Sequence, residues 1–380
     1  MDRTIVVHLK PTPEQARVLK QTLQESTACF NTVTELGFTT KCSNGVELHK
    51  QTYYDLRSQY PKLPAQLVCA ARVKATEAVK SALARQKKGR TTGVPHSKMC
   101  PIRYDARSYW VKWETMTCSL ATTEGRVELP FSVAPYAEKY IGGKVCSADL
   151  CYRKGHFTLH IVLSLPDPVI RPSQEVIGVD LGLNRPAVTS KKHFLGERRW
   201  KEQERRIFRL RRALQRKGTT SAKKHLKKLS GKLFRQPRDH DHVLSKRIVQ
   251  SVSPGSTLVI ENLTHIRTRA TMKKYTDTQR RLHSWSFAQF QNFLSYKAQE
   301  RGIRVVKTDP RHTSQTCSRC GYQHRSNRRS QSLFLCKSCG YCLNADLNAA
   351  QNIRDKHLAS LGTSLGSGSP SVGLSFQSLD

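Results

Sequence analysis

Long apolar stretches are missing from this chain of 380 residues. No run of about 18 consecutive apolar residues occurs, and a helix that spans a bilayer needs roughly that length. The opening residues MDRTIVVHLK place a charge inside a short apolar run, and Pro11 and Pro13 follow where a signal peptide would have small residues before its cleavage site. The sequence therefore predicts neither a membrane span nor a secretory signal peptide.

Acidic residues are scarce, with 28 Asp and Glu against 65 Lys and Arg, and the formal net charge is +37. Such an excess of positive charge repels itself unless a polyanion neutralises part of it, so nucleic acid is the predicted partner. Between Arg198 and Arg247 nineteen Lys and Arg accompany only four acids, and apolar residues recur at helical spacing. A solvated helical face is the alternative interpretation, but this density of one sign favours helices that contact a phosphate backbone.

The first half of the chain is predicted to combine helices with a strand-rich module. Residues 4–9 indicate a strand, and Thr12 followed by Pro13 indicates a helix that starts with a capping box. Apolar residues at helical spacing predict that the first 90 residues are mainly helical. A stretch rich in β-branched and aromatic residues, from about 107 to 165, predicts short antiparallel strands that form a small barrel.

Proline residues mark the end of this module. Pro166, Pro168 and Pro172 form a linker, after which the apolar run at 176–179 opens a new module. Near the other end, the chain beyond position 361 is rich in Ser and Gly and poor in apolar residues. Such a segment buries too little surface to offset its ordering entropy, so we expect a disordered tail at 361–380.

The twelve cysteines fall into two groups. Seven are scattered between Cys29 and Cys151, whereas five lie between Cys317 and Cys342. Clustering of this kind favours a bound metal over disulfides, and it therefore predicts a reducing compartment.

Two CxxC knuckles form the most specific motif of the sequence. Cys317 and Cys320 belong to the first knuckle, Cys336 and Cys339 to the second, and fifteen residues separate the two. Two turns that each present two thiolates supply the four tetrahedral sulfur ligands that zinc accepts, and a shell of four protein ligands makes the zinc structural. Cys342 lies outside the paired pattern and is interpreted as a spare thiol.

Three carboxylates stand at the boundaries of predicted buried elements. Asp180 and Glu261 each end an apolar run, and Asp346 begins a run of good helix formers. Taken singly, these residues are also explained as a turn-capping Asp, a structural ion pair and a helix-starting Asp. If they converge, the three would bind a pair of divalent cations roughly 4 Å apart and hydrolyse phosphodiester bonds. Oxygen ligands favour Mg²⁺ or Mn²⁺ at such a site.

Five motifs together, GVDLG, IENL, TSQTCSRCG, CKSCG and NADLNAAQNI, resemble in this order those of the TnpB family, nucleases encoded by insertion sequences and related to type V CRISPR effectors. The resemblance is strong over about residues 170–355 and weaker before them. It implies an α+β multidomain protein whose carboxyl-terminal half is a RuvC-like, RNase H-type α/β nuclease domain. The implied parts are a wedge-like β-barrel at 1–10 and 91–168, a helical recognition lobe at 11–90, the nuclease domain at 173–311 and 343–357, and an inserted zinc ribbon at 312–342.

The resemblance also implies a function. Asp180, Glu261 and Asp346 take the positions of the catalytic carboxylates, with Mg²⁺ or Mn²⁺ as the catalytic metal. The protein is then an RNA-guided DNA endonuclease that cuts next to a short adjacent motif, as a monomer in the prokaryotic cytoplasm. Its partners are a guide RNA, target double-stranded DNA and the RNA–DNA heteroduplex. Two alternatives stay open: an RNA-guided repressor without nuclease activity, and a miniature type V CRISPR effector.

The chain departs from the family pattern at two positions. Ser332 stands where family members often carry an arginine, four residues before the third zinc cysteine. Asn344 stands where they often carry an aspartate. Arg328 or Arg329 is predicted to supply the missing positive charge.

Overall fold

The structure is a computed structural model that describes residues 1–170, 173–264, 266–269 and 276–365. The chain forms two compact units, Met1–Pro166 and Asp167–Asp380. Both combine helices with sheets, so the predicted α+β multidomain class is confirmed. Across the described residues, no helix has both the length and the apolar character that crossing a bilayer requires.

Three helices follow the first strand of the first unit, as the sequence predicts. The Thr12 hydroxyl accepts a hydrogen bond from the Gln15 N–H at 3.3 Å, and Gln15 Oε1 accepts one from the Thr12 N–H at 3.0 Å. This capping box, with Pro13 at the first helical position, confirms the predicted helix start. The helices are α1 (Pro13–Thr39), α2 (Gly45–Gln59) and α3 (Ala65–Lys87).

An antiparallel sheet of seven strands completes the first unit, in the order β2-β6-β7-β1-β5-β4-β3. Gly125 and Gly155 lie at the tight turns between consecutive strands and have φ angles of +89° and +85°, which glycine adopts at little cost. The strands are β1 (Asp2–Leu9), β2 (Ile102–Tyr104), β3 (Tyr109–Lys112), β4 (Thr117–Thr122), β5 (Gly125–Val133), β6 (Lys144–Arg153) and β7 (His156–Ser164), with a 3-10 helix at Pro135–Tyr140.

The helices and the sheet of this unit share one hydrophobic core. Alternate residues of β1, Ile5, Val7 and Leu9, are buried because successive side chains of a strand point to opposite faces. They belong to the same core cluster as Leu19 and Leu23 of α1. The amphipathic helix thus covers one face of the sheet, and the other face of β1 is more exposed.

The second unit is built on a mixed sheet of five strands, in the order β10-β9-β8-β11-β12. The three strands β8, β11 and β12 are parallel, whereas β9 pairs antiparallel with β8 and β10 pairs antiparallel with β9. Residues 187–189 therefore form a hairpin with β8. The strands are β8 (Val176–Asp180), β9 (Ala187–Thr189), β10 (Phe194–Leu195), β11 (Thr257–Glu261) and β12 (Arg304–Thr308).

Six helices and a small hairpin accompany this sheet in the described residues. Two of the helices confirm the predicted basic helical segment between Arg198 and Arg247. The helices are α4 (Arg198–Lys217), α5 (Thr220–Gln250), α6 (Ile266–Arg269), α7 (Asp277–Ser284), α8 (Phe287–Glu300) and α9 (Ala345–Leu365). A 3-10 helix at Arg325–Asn327 and the strands β13 (Leu333–Leu335) and β14 (Cys342–Asn344) lie between β12 and α9.

The last helix corrects one expectation. The predicted tail begins at position 361, but α9 continues to Leu365. Extending a formed helix adds one hydrogen bond per residue, so an existing helix continues into a segment whose composition alone suggests disorder. The remainder of the predicted tail, 366–380, lies outside the described residues.

Candidate active site

Asp180 and Glu261 are the last residues of two neighbouring parallel strands. β8 and β11 pair with Val179 opposite Ile260, one residue before each acid. The carboxyl ends of parallel strands meet at the same edge of a sheet, which is where open α/β sheets bind their ligands. The structure thus brings these two predicted site residues together.

Asp346 reaches the same region through α9, which packs against β8. Gly178 of β8 makes this packing possible, since a Cβ at that position would lie 2.0 Å from Ala350 O and 2.7 Å from the backbone N of Arg354. Only a residue without a side chain allows the backbone of the helix to come so close. Asp346 lies in the first turn of this helix.

Asn344 has a structural role at the start of α9. Its Oδ1 accepts hydrogen bonds from the N–H groups of Asp346 at 3.1 Å and Leu347 at 3.2 Å. An asparagine cap of this kind satisfies N–H groups that have no partner within the helix. The departure from the family pattern at this position therefore preserves the helix start that presents the acid.

Asp180 is buried beside the negative charges of the other two acids. Burial raises the pKa of Asp180 well above its usual range, and the negative charges of Glu261 and Asp346 raise it further. Burial also raises the pKa of Glu261, and the hydrogen bond from Thr313 opposes that rise. Acids clustered in this way resist simultaneous ionisation, and a nearby cation relieves the repulsion between them.

Arg328 is the basic residue that contacts this cluster. Its Nη2 donates to Asp346 Oδ1 at 3.0 Å and to the main-chain oxygen of Gln331 at 3.0 Å. Its charge lowers the pKa of Asp180, and at Glu261 it lowers the pKa after the hydrogen bond from Thr313 and the charge of Lys356. The neighbouring Arg329 has an exposed side chain. Of the two arginines that the sequence suggested, Arg328 is therefore the one placed against an acid.

Thr313 is a site residue that sequence reasoning missed. Its hydroxyl donates to Glu261 Oε1 at 2.8 Å, and both residues are buried. The only signal in the sequence is that the motif TSQTCSRCG begins with this threonine. A hydroxyl 52 residues away from Glu261 along the chain has no spacing pattern that connects it with a carboxylate.

The cysteines of the two CxxC knuckles come together at one point. The Sγ atoms of Cys317, Cys320, Cys336 and Cys339 all lie within 4.8 Å of one another. Hydrogen bonds from the N–H groups of Cys339 and then Ser338 lower the pKa of Cys336 to about 7, so this thiol is favoured as a thiolate, whereas the pKa values of Cys317 and Cys339 are raised. Four thiols so arranged match the ligand set of a tetrahedral metal site.

The ligand atoms of the four thiols lie closer to one another than those of the three carboxylates do. In the part of the chain that the structure describes, the four cysteines form the one group of three or more metal-ligating residues whose ligand atoms all lie so close together. Among the three carboxylates, at least one pair of ligand atoms is farther apart than this, and Thr313 and Arg328 make separate contacts with Glu261 and Asp346. Cys342 is exposed and outside the thiol group, in agreement with its interpretation as a spare thiol.

Comparison with known proteins identifies relatives of this chain. Residues 287–353 match the family described as Cas12f1-like, TNB domain. A CRISPR-associated endodeoxyribonuclease Cas12f1 of Sulfoacidibacillus thermotolerans is 41% identical over 122 residues, which are 32% of this chain and 26% of the relative. A TnpB-like protein of Methanocaldococcus jannaschii is 33% identical over 132 residues, which are 34% of this chain and 46% of the relative.

The fold is similar to that of a solved complex. The cryo-EM structure of a Cas12f1–sgRNA–target DNA complex has a TM-score of 0.62 at 18% identity, over 90% of this chain and 83% of that chain. The predicted resemblance to TnpB proteins and compact type V effectors is thereby confirmed. The chain spans less than half the length of these two curated relatives.

Proposed function

We propose that this protein is an RNA-guided, metal-dependent DNA endonuclease of the TnpB type, encoded by or derived from a transposable element. The observation that carries the proposal is the meeting of Asp180 and Glu261 at one sheet edge, with Asp346 close enough to raise the pKa of Asp180. Clustered carboxylates are unfavourable unless cations bind among them. The names of the relatives, a CRISPR-associated endodeoxyribonuclease and a TnpB-like protein, support the same class of reaction.

The donor set fits Mg²⁺ or Mn²⁺. Asp180, Glu261 and Asp346 would hold the metal through carboxylate oxygens, the ligands that hard divalent cations prefer. Bound metal would supply an activated water and stabilise the leaving oxygen. The strand ends hold Asp180 and Glu261 in fixed positions, and the Asn344 cap fixes the start of the helix that carries Asp346. Such preorganisation is the main contribution a protein makes to phosphodiester hydrolysis.

The four-cysteine group fits a structural zinc ion. Sulfur ligands favour zinc over Mg²⁺, and four protein ligands leave no coordination position for a reacting water. The segment that carries these cysteines, 312–342, would form a zinc ribbon inserted in the nuclease domain at 173–311 and 343–357. The sheet of β8 to β12 would be the RNase H-type core of that domain. In the first unit, residues 1–10 and 91–168 would form the wedge and 11–90 the recognition lobe.

The helices α4 and α5 are suited to contact the phosphate backbone of a nucleic acid. No acidic residue follows Glu204 within α4. Exposed basic residues cover both helices and would neutralise phosphates and release counterions. On α4 they are Arg205, Arg206, Arg209, Arg211, Arg212, Arg216 and Lys217, and on α5 they are Lys223, Lys224, Lys227, Lys228, Lys232, Arg235 and Arg238. A guide RNA, its heteroduplex with target DNA and the target duplex would be the ligands, bound by a single copy of the chain.

The experiment that tests this function separates cutting from binding. The protein is purified with its co-expressed RNA, and a plasmid library with guide-matched sites is incubated with Mg²⁺ or with EDTA. Wild-type protein should cut beside one short motif only with Mg²⁺. Asp180→Asn should bind the same sites and lower the cleavage rate by roughly 10²-fold or more, as expected for loss of a preorganised group. Asp355→Asn, a charge change at a half-buried position of α9 outside the three acids, is the matched control and should cut like the wild type.

Three other outcomes would count against the proposal. Guided binding without any wild-type cleavage would identify a repressor. Absence of bound RNA would contradict both the RNA-guided nuclease and the RNA-guided repressor. Wild-type cleavage in EDTA would exclude the metal-dependent mechanism.

A miniature type V effector shares the fold and the chemistry, and the 41% identity to Cas12f1 supports it equally. Transposon ends or a CRISPR array beside the gene would decide between the two.

A further inference from the structure

A short segment joins the candidate nuclease site to the thiol cluster. Residues 313–318 begin with Thr313, which contacts Glu261, and contain Cys317 of the first knuckle. The segment lies between β12 and β13 and packs on α9. Its contacts link Glu261 at the end of β11, the thiol cluster and α9.

Thr313 fixes one oxygen of the Glu261 carboxylate. Its Oγ1 lies 2.8 Å from Glu261 Oε1, and also 3.0 Å from the main-chain oxygen of Pro310. Thr313 is 3% exposed and Glu261 8% exposed, so water contributes little to the solvation of this carboxylate oxygen. A charge-assisted hydrogen bond in such surroundings is stronger than one made in water and constrains the orientation of the acid.

Two asparagines of α9 hold the backbone around Thr313. Asn352 Nδ2 donates to the main-chain oxygens of Thr313 and Thr316, at 2.7 Å each. Asn348 Nδ2 donates to Thr316 O at 2.8 Å, and its Oδ1 accepts from the Ser318 N–H at 3.0 Å. Both asparagines are buried, so these bonds anchor the segment to the same helix that carries Asp346.

We infer that Thr313 is a positioning residue for the catalytic metal: its hydroxyl orients Glu261, and Asn348 and Asn352 hold Thr313 in register with the helix of Asp346. The inference rests on the proposed function, because it takes Glu261 as a metal ligand. Groups that hold a metal-ligating carboxylate tune metal affinity by orienting the ligand before the metal binds. Loss of the hydroxyl should therefore weaken the binding of metal first.

Two substitutions isolate the hydroxyl. Thr313→Val keeps the shape of the side chain and removes the donor, whereas Thr313→Ser keeps the donor and removes a methyl group. The matched control is Thr316→Val, because the Thr316 hydroxyl donates to His312 O at 3.0 Å and contacts no carboxylate. All three changes fall within the same segment, so a general disturbance of the segment would affect them alike.

The first readout is the affinity of the full-length, zinc-loaded protein for Mn²⁺. It is measured by titration calorimetry or from the electron paramagnetic resonance signal of free Mn²⁺. Thr313→Val should weaken Mn²⁺ binding by about 10- to 100-fold, the usual effect of removing a group that holds a ligand. Thr313→Ser and Thr316→Val should bind like the wild type. In cleavage assays, Thr313→Val should need a correspondingly higher Mg²⁺ concentration for half-maximal rate and approach the wild-type rate at saturation.

The outcomes distinguish this inference from the proposed function. Glu261→Gln, measured in parallel, should lose Mn²⁺ binding. If Glu261→Gln binds Mn²⁺ like the wild type, the metal site itself is misassigned and the proposed function fails. If Glu261→Gln loses Mn²⁺ but Thr313→Val retains it, only the positioning role is wrong. Equal losses in Thr313→Val and Thr316→Val, with a parallel drop in melting temperature, would show a merely structural role and overturn the inference.

Discussion

Arg328 and Asp346 form an ion pair in which the guanidinium Nη2 lies 3.0 Å from the carboxylate Oδ1. Both side chains are largely withdrawn from water, with 27% and 13% of their surfaces exposed. Arg328 belongs to the segment between the two CxxC knuckles, whereas Asp346 begins α9. The segment that carries the thiol cluster thus contributes a positive charge to the carboxylate cluster.

Arg328→Ala should lower the rate of cleavage by roughly 10²-fold, the size of effect seen when one preorganised electrostatic group is removed. The physical reason is that the guanidinium offsets the repulsion among the three carboxylates, since it lowers the pKa values of Asp180 and Glu261. Single-turnover cleavage of a guide-matched substrate measures the effect. Arg329→Ala is the control, because that side chain is exposed, and it should cut like the wild type. An equal loss in both variants would contradict the assignment of Arg328.

Cys317→Ser combined with Cys320→Ser should release zinc, because two of the four sulfur ligands disappear. Elemental analysis of the purified protein should find about one zinc ion per wild-type chain and almost none in the double variant. Cys342→Ser is the matched control, since this exposed thiol lies outside the four-thiol group, and its zinc content should not change. Zinc retained by the double variant would show that the ligand set is wrong.

The sequence predicted the elements of the site better than their contacts. Apolar runs that end in Asp180 and Glu261 indicate buried strands with terminal acids, and the CxxC spacing indicates a four-thiol site, because both signals are local. The partners of these residues are not local. Thr313 lies beside Glu261 because it follows β12, which pairs with β11, and Arg328 contacts Asp346 from a different segment of the chain. No periodicity along the chain records such contacts.

Composition also misled the interpretation at one point. Ser and Gly residues after position 361 suggest disorder, yet the first five of these positions continue α9. A helix already stabilised by packing extends at low cost, and composition alone cannot reveal that support. In the sequence, Asn344 is only a departure from the family pattern, with no role assigned to it. Its hydrogen bonds identify it as a helix cap.

Gly178→Ala should destabilise the second unit by about 1 to 3 kcal/mol, the usual cost of overpacking, because the added methyl would collide with the backbone of α9. Chemical denaturation followed by circular dichroism measures the change in free energy of unfolding. Gly362→Ala is the control, because Gly362 lies in α9 itself and has open space around it. This substitution should be neutral or stabilising by up to about 1 kcal/mol. If Gly178→Ala were as stable as the wild type, the close approach of α9 to β8 would be wrong.

Lys297 should make the stability of the second unit depend on pH. Its pKa is lowered to about 8, chiefly by burial between α5 and α8 and then by the charge of Lys246. The negative charges of Glu300 and Asp241 partly oppose this shift. In the unfolded chain the pKa returns to about 10.5, so above pH 8 the unfolded state binds more protons than the folded state, and stability rises with pH through this window. The neutral amine still has two hydrogens for His242 O and Ser245 Oγ, which both accept from Nζ at 2.7 Å.

Melting temperatures from about pH 7 to about pH 10 test this linkage. Lys297→Met removes the titrating group, so the melting temperature of the wild type should rise by roughly 2 to 4 °C relative to that variant across the range. Changes in overall net charge affect both proteins alike and cancel in the difference. Lys232→Met, which replaces an exposed lysine of α5, should show no such divergence from the wild type. If the curves of wild type and Lys297→Met run parallel, burial does not depress the pKa of this lysine.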